Sequence, residues 1–177
     1  QNVNVIDPID GLKKNNNVEI LDNKIMYVGN LKNSYSYLKE IDGTGKYLIP
    51  GLWDTHVHFY FDQELAKDMP DLFLQFGITS VRDTGGDFEF LDSIKKLSKE
   101  NPKSYPRIKI SGPLIDGKFN VYNGERLPNL SVKTINIKET EIIVNELIDK
   151  GVDFLKAYEM LSPEQFEVLM KIAKENR

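Results

Sequence analysis

The change of hydrophobic period at Pro50-Gly51 constrains this chain more than any other feature. Before it, Val3/Val5, Val18/Ile20 and Ile25/Tyr27 alternate with polar neighbours, which places alternate side chains on one face of a strand. Asp22, Asn23 and Lys24 separate two of these stretches and tolerate the positive φ of a tight hairpin, while Gly29, Gly43 and Gly45 punctuate the chain between that hairpin and Pro50. The polar, Asn-rich run Gly11 to Asn17 reads as a turn or loop. Three to five short strands are expected over residues 1 to 49.

After Pro50-Gly51, short apolar runs alternate with longer stretches of helical period, the pattern of βα units on a parallel sheet. The expected strands are Tyr47–His56, Ile78–Arg82, Arg107–Ser111 and Val152–Lys156. The expected helices are Asp71–Phe76, ended by Gly77; Phe88–Lys99, with Phe90, Leu91, Ile94 and Leu97 apolar; and Glu139–Lys150, ended by Gly151. A last helix starts at Ser162 as N-cap, with Pro163 in its first turn, Gln165 closing a capping box, and Phe166, Leu169, Met170 and Ala173 on one face. The fold class is therefore α/β. Four βα units over residues 50 to 177 make the N-terminal half of a (β/α)8, TIM-like barrel, which needs about 250 residues to close.

Composition removes several function classes. At 177 residues, 40% hydrophobic and 28% charged, the chain can bury the core of one or two folding units. Its net charge of −4 is spread among mixed signs, so no basic footprint exists for nucleic acid or an anionic membrane. No apolar run approaches the roughly 18 residues of a membrane span, and Gln1 to Asp7 lack a charged-then-apolar signal pattern. With no cysteine, disulfides, thiolate metal sites and cysteine nucleophiles are all excluded, so a metal must be held by imidazole, carboxylate or a modified amine.

The chemistry concentrates in Leu48-Ile49-Pro50-Gly51-Leu52-Trp53-Asp54-Thr55-His56-Val57-His58-Phe59. Residues two apart on a strand share a face, so Asp54, His56 and His58 project together and the two imidazoles can share one cation. The alternative is a pair of half-buried, hydrogen-bonded histidines. Position favours the metal: these are the only two histidines, and they end the strand that enters the βα region, where barrel active sites form.

Pro50, Gly51, Leu52, Asp54, His56 and His58 together match Pro-Gly-hydrophobic-x-Asp-x-His-x-His. Gly77-Ile78-Thr79-Ser80-Val81-Arg82-Asp83-Thr84-Gly85-Gly86, Ser111-Gly112-Pro113 and Gly151-Val152-Asp153-Phe154-Leu155-Lys156 come after it in order. The set resembles the amidohydrolase superfamily, in its imidazolonepropionase-like and prolidase-like dipeptidase branch, over nearly the whole chain. The resemblance implies a small β-sandwich-type region before the barrel, and two divalent ions, zinc for preference, held by His56, His58 and a carboxylated, bridging Lys156. It implies hydrolysis of amide, peptide or cyclic amide bonds by a metal-bridging hydroxide, with a small molecule or dipeptide as substrate. Carboxylation of a lysine turns a cation into an anionic bridge between two cations, which makes the assignment chemically coherent. Without the resemblance, Lys156 reads as a snorkelling lysine at a strand end.

Asp54 is expected to accept from backbone or to orient a histidine from behind by a hydrogen bond. Arg82 can clasp a substrate carboxylate or pair with a neighbouring acid, and Tyr158 can line a substrate pocket or simply pack. Gly85-Gly86 and Gly112-Pro113 read as turns that bend loops away from the barrel mouth. The segment Leu114 to Asn129, long and polar, departs from the short Gly-rich loop of the dipeptidase-like relatives.

The superfamily's two further histidines and its catalytic aspartate have no counterpart in this sequence. The expectation is therefore a fragment, inactive by itself. Its rivals are a non-catalytic half-barrel completed by a complementing C-terminal half or a homo-oligomer, and a mononuclear deaminase-type relative. Lys156 stands where such a deaminase carries Glu or Gln, which speaks against the last.

Overall fold

The computed structural model describes residues 1–30 and 39–176. The chain divides into two compact units, Gln1–Pro50 and Gly51–Arg177.

In the first unit, β1 (Val3–Asp7), β2 (Gly11–Leu21), β3 (Lys24–Gly29) and β4 (Tyr47–Leu48) form a sheet in the order β3-β2-β1-β4. The β2–β3 hairpin turns on Asp22 and Asn23, at φ 49° and 63°, the left-handed pair that matches the twist of an antiparallel ribbon. The Asn-rich run from Gly11 to Asn17 is strand rather than loop. Its register against β1 shifts between Val3 and Val5, Asn15 sits at φ 53°, and the Asn4 side chain accepts from the Asn15 N–H at 3.2 Å. Asparagine tolerates that left-handed position, so the polar residues make a bulged strand instead of ending one.

The second unit carries β5 (Leu52–Val57), β6 (Ile78–Asp83) and β7 (Arg107–Ile110), parallel and in that order. The stretch expected as one strand from Tyr47 breaks at Ile49-Pro50-Gly51, since proline has no N–H to donate to a ladder. Helices α1 (Met69–Gln75), α2 (Phe88–Glu100), α3 (Ile137–Asp149) and α4 (Pro163–Glu175) follow the expected order. Asp87 and Asn136 cap α2 and α3 by accepting from Phe90 N and Glu139 N, and α4 has the full capping box between Ser162 and Gln165.

Two helical faces differ from the pattern read in the sequence. On α2 the buried residues are Leu91, Ile94 and Ser98, while Leu97 is exposed, because the Ser98 hydroxyl donates to Pro106 O at 2.7 Å. On α4 they are Gln165, Leu169 and Ile172, with Phe166 exposed. The Gln165 amide donates to Thr134 O, Thr134 Oγ1 and Thr140 Oγ1, so a fully satisfied polar side chain takes the place a hydrophobe was expected to fill.

The segment 114–129 is not simply a loop. It opens with β8 (Leu114–Asp116), wholly buried and parallel to β9 (Ser131–Lys133). Conversely, Val152–Lys156 is not a strand. Ile115 pairs with Ala157 in an isolated parallel bridge, and Ile110 N donates to Asp153 Oδ2 at 2.9 Å, so a carboxylate supplies the acceptor that a strand carbonyl would have provided.

Asp153 also receives Lys95 Nζ at 2.6 Å and Lys109 Nζ at 2.8 Å, joining α2 and β7 to the chain after α3. Burial raises its carboxyl, but the hydrogen bonds from Lys109, Lys95 and the Ile110 N–H outweigh that and hold it below the ordinary value. A depressed carboxylate stabilises the fold above its unfolded pKa, about 3.9, and that stability is lost as pH falls through the folded value. Asp153→Asn is therefore expected to cost about 2–3 kcal/mol at pH 7. The gap to the parent should close below about pH 4. Urea denaturation at the two pH values measures it, and a pH-independent gap would contradict the ion-pair origin.

Two hydrophobic clusters complete this unit. One gathers Val57, Phe59, Ala66, Val81, Leu91, Ile94, Ile108 and Ile110 under α2; the other gathers Ile115, Val144, Leu147, Leu169 and Ile172 between α3 and α4. Each buried Leu or Ile contributes about 1.5–3 kcal/mol.

Candidate metal centre

The parallel sheet levels its strand ends. Val57 stands opposite Asp83, Thr84 N donates to Val57 O, and Ser111 N donates to Asp83 O. The chain leaves all three strands on the same side, which is where α/β proteins assemble sites.

His56 lies in β5 and His58 one residue past it, where a 3₁₀ turn, Phe59–Phe61, begins. The β5 register against β6 shifts between Asp54 and Val57, so simple pleat alternation does not run through this stretch. The two rings converge all the same, with His56 Nε2 and His58 Nε2 3.2 Å apart. Two nitrogens each 2.0–2.1 Å from a tetrahedral ion stand about 3.3 Å apart, so the pair has the spacing of two ligands on one cation as well as that of an N–H···N hydrogen bond between the rings.

The protonation pattern agrees with that geometry. His58 Nδ1 lies 3.0 Å from Gly85 O, and a carbonyl only accepts, so the proton sits on Nδ1 and the Nε2 lone pair faces His56. The Thr84 hydroxyl, 3.4 Å away, can donate to the same lone pair. Burial lowers the His58 pKa; the Gly85 carbonyl raises it in part, and the charges of His56 and Lys156 lower it further. Burial therefore favours the neutral ring, the form in which an imidazole binds metal.

Gly85 is more than a bend. A Cβ there would stand 2.8 Å from Leu114 Cγ and 3.3 Å from His58 Cε1, so only glycine lets the peptide whose carbonyl holds the imidazole come this close. The carbonyl belongs to the site, which the reading of Gly85-Gly86 as turns that bend loops away did not include. Gly112 sits at φ 68°, the left-handed conformation that a turn there requires.

The Asp54 side chain accepts from the His56 backbone N–H at 3.1 Å, the backbone alternative of its two expected roles. Lys156 is partly buried and its carbonyl accepts from Ile115 N at 2.9 Å; its positive charge is the smallest of the influences on the His58 pKa. Arg82 makes no ion pair among the described residues. Its guanidinium lies over the Phe154 ring, 4.7 Å from the centroid, a cation–π contact that neither expected role anticipated.

Tyr158 packs edge to face on Tyr122, centroids 5.7 Å apart. Burial pushes its phenol up to about 12, helped by Tyr122 and Glu159, so it remains an O–H donor at neutral pH.

The sequence alone assigns no role to two buried aspartates: Asp83, which figures only within the motif at residues 77–86, and Asp116. Asp83, fully buried, accepts from Phe59 N at 2.7 Å and Gly85 N at 3.0 Å. Burial pushes its carboxyl up to about 7, against the pull of those two donors. Asp116, also fully buried, accepts from Gly117 N, Met160 N and Val121 N at 2.8–2.9 Å. A signal existed for both, since each is an acid at the end of a short strand-like run, but acids at strand ends more often face water.

Among the described residues, no group of three or more His, Cys, Asp or Glu side chains is placed to hold a metal, and no helix is long and apolar enough to cross a membrane.

The fold is that of known hydrolases. A molinate hydrolase superposes with a TM-score of 0.80 at 19% identity, covering 99% of this chain and 50% of that one. A prolidase solved with N-methylphosphonate-L-proline gives 0.77 at 22% identity, over 99% and 53%. A Xaa-Pro dipeptidase with methionine bound in its active site gives 0.75 at 17% identity, over 97% and 52%. The chain thus spans about half the length of these solved structures. By sequence, 59 residues are 42% identical to the dihydroorotase of Clostridioides difficile (strain 630), 33% of this chain and 14% of that protein. No protein-family profile matches the chain.

Proposed function

We propose that this chain carries the first metal ligands of a metal-dependent amidohydrolase that cleaves C–N bonds in amides, peptides or cyclic amides. In this reading the parallel βα region is the first half of a (β/α)8 barrel and the N-terminal sheet is part of a sandwich-type domain. The observation that carries it is the convergence of the His56 and His58 Nε2 atoms at 3.2 Å, with the His58 lone pair aimed at the gap by its Nδ1–H bond to Gly85. The similarity in fold to a prolidase, a Xaa-Pro dipeptidase and a molinate hydrolase supports the same class.

The two imidazoles would hold one divalent ion and Lys156, as its carbamate, would bridge it to a second; zinc suits this nitrogen and oxygen donor set. Bound there, the ions supply Lewis acidity, lowering the pKa of water and polarising a carbonyl. The chain's own residues do the positioning. Gly85 O fixes the His58 tautomer, Asp54 holds the His56 backbone, and Tyr158 offers a phenol donor to a small-molecule or dipeptide substrate. Arg82, occupied by Phe154, is assigned no role.

Two imidazoles and one lysine are a short ligand set for two ions, so this chain by itself binds metal weakly and turns over no substrate. The test is zinc titration of the chain, with ¹³C NMR under labelled bicarbonate reading a carbamate on Lys156. Weak binding of one ion through the histidines and a carbamate that Lys156→Met removes are the expected results. No zinc binding at all would overturn the metal assignment, and two tightly held ions would overturn the inactive-fragment reading.

A further inference from the structure

Gly85 and Phe59 belong to two different loops, one after β6 and one after β5, and a single side chain ties them together. Asp83 receives Phe59 N on Oδ2 and Gly85 N on Oδ1. Phe59 is the residue after His58, and Gly85 supplies the carbonyl that holds His58 Nδ1. The backbone that carries the ring and the peptide that orients it are therefore both fastened to the same carboxylate, which no solvent reaches. Phe59 is itself fully buried, and Gly85 packs so closely on Leu114 that a Cβ would not fit between them.

We infer that Asp83 is a positioning residue for His58: its carboxylate sets the distance between the β5 and β6 loops and so the tautomer and direction of the imidazole. The inference rests on the metal-centre reading only for its consequence in metal affinity; the effect on the ring belongs to the ion-free chain. Without Asp83, Phe59 N and Gly85 N are left without acceptors in a dry interior, and both segments must move to find new ones. Asn cannot replace it, because one end of the amide is an NH₂ that faces an N–H donor.

Asp116 provides the comparison. It is equally buried and also gathers backbone N–H groups, but from Gly117, Val121 and Met160, with no bond to His58 or Gly85.

The test compares the parent with Asp83→Asn and Asp116→Asn by ¹⁵N NMR of the histidine rings in metal-free chain at pH 8, followed by zinc titration. The expected result is an Nδ1–H tautomer of His58 in the parent and in Asp116→Asn, and a mixture in Asp83→Asn. Zinc affinity should fall about 10- to 100-fold in Asp83→Asn alone. If Asp83→Asn keeps the parent's His58 tautomer and loses only thermal stability, as Asp116→Asn does, the inference is overturned. Should Asp83→Asn not fold, the parent spectrum still decides: an Nε2–H tautomer at His58 overturns the inference, because the Gly85 contact would then not exist. The tautomer judges the role of Asp83, and zinc binding by the parent separately judges the metal assignment.

Discussion

Replacing His56 and His58 together with Ala is expected to abolish divalent-ion binding while leaving the chain folded. His56 is exposed, so its removal costs little stability. His58 loses the hydrogen bond to Gly85 O and some packing, about 1 kcal/mol. A loss of zinc binding in the double variant therefore reports the ligands and not unfolding. In the proposed amidohydrolase, a divalent ion held by these histidines would supply several kcal/mol of transition-state stabilisation, so the double variant of such an enzyme is expected to lose at least about 1,000-fold in kcat/KM. Calorimetric zinc titration with a circular-dichroism melt checks the chain, and an assay on dipeptides and cyclic amides checks the enzyme. Retention of metal and activity after both substitutions would exclude these histidines from the centre.

A second large effect is expected at Asp116, and it is structural. Asp116→Ala strips the acceptor from three N–H groups at once, those of Gly117, Val121 and Met160. At about 1–3 kcal/mol for each donor left unpaired, and less than additively, the loss is about 3–5 kcal/mol. For a chain of this size that corresponds to a drop in Tm of roughly 8–15 °C. The Gly117 and Met160 backbones already lie against each other, with no room for even a Cβ on Gly117, so this turn cannot close further onto the lost carboxylate. The Met160 bond also pins the chain just after Lys156 and Tyr158, so the Tyr122–Tyr158 ring contact should loosen in the same variant. Chemical denaturation and the near-ultraviolet spectrum of the tyrosines measure the two effects. A change under about 1 kcal/mol would mean that other acceptors take over these donors.

The parts of the fold that were legible in the sequence depend on local rules. The Asp22-Asn23 hairpin, the Ser162–Gln165 capping box, the Gly77 and Gly151 helix stops and the parallel order of the strands each follow from a few neighbouring residues whose backbone preferences agree. Errors came where a distant partner overrode the local preference. Val152–Lys156 reads as a strand, but Asp153 captures Ile110 N and two lysines from other elements, and the ladder is interrupted. Leu114–Asp116 reads as the start of a polar loop, but Ile115 pairs with Ala157, forty-two positions along the chain, and becomes wholly buried. The buried face of α4 turns toward Gln165 because Thr134 and Thr140 wait there with acceptors.

The candidate site divides in the same way. By itself the sequence determined which imidazoles the chain has to offer: with two histidines and no cysteine, His56 and His58 are the candidate ligands, and their spacing places them at one strand end. Only the tertiary structure decided how they are held. The Nδ1–H tautomer of His58, the close approach of Gly85 and the buried Asp83 that joins their loops all depend on β5 and β6 lying side by side, 24 to 27 residues apart in sequence. A ligand's identity is a property of one residue. Its orientation is set by hydrogen bonds to groups the chain brings near only by folding, and no local pattern encodes them.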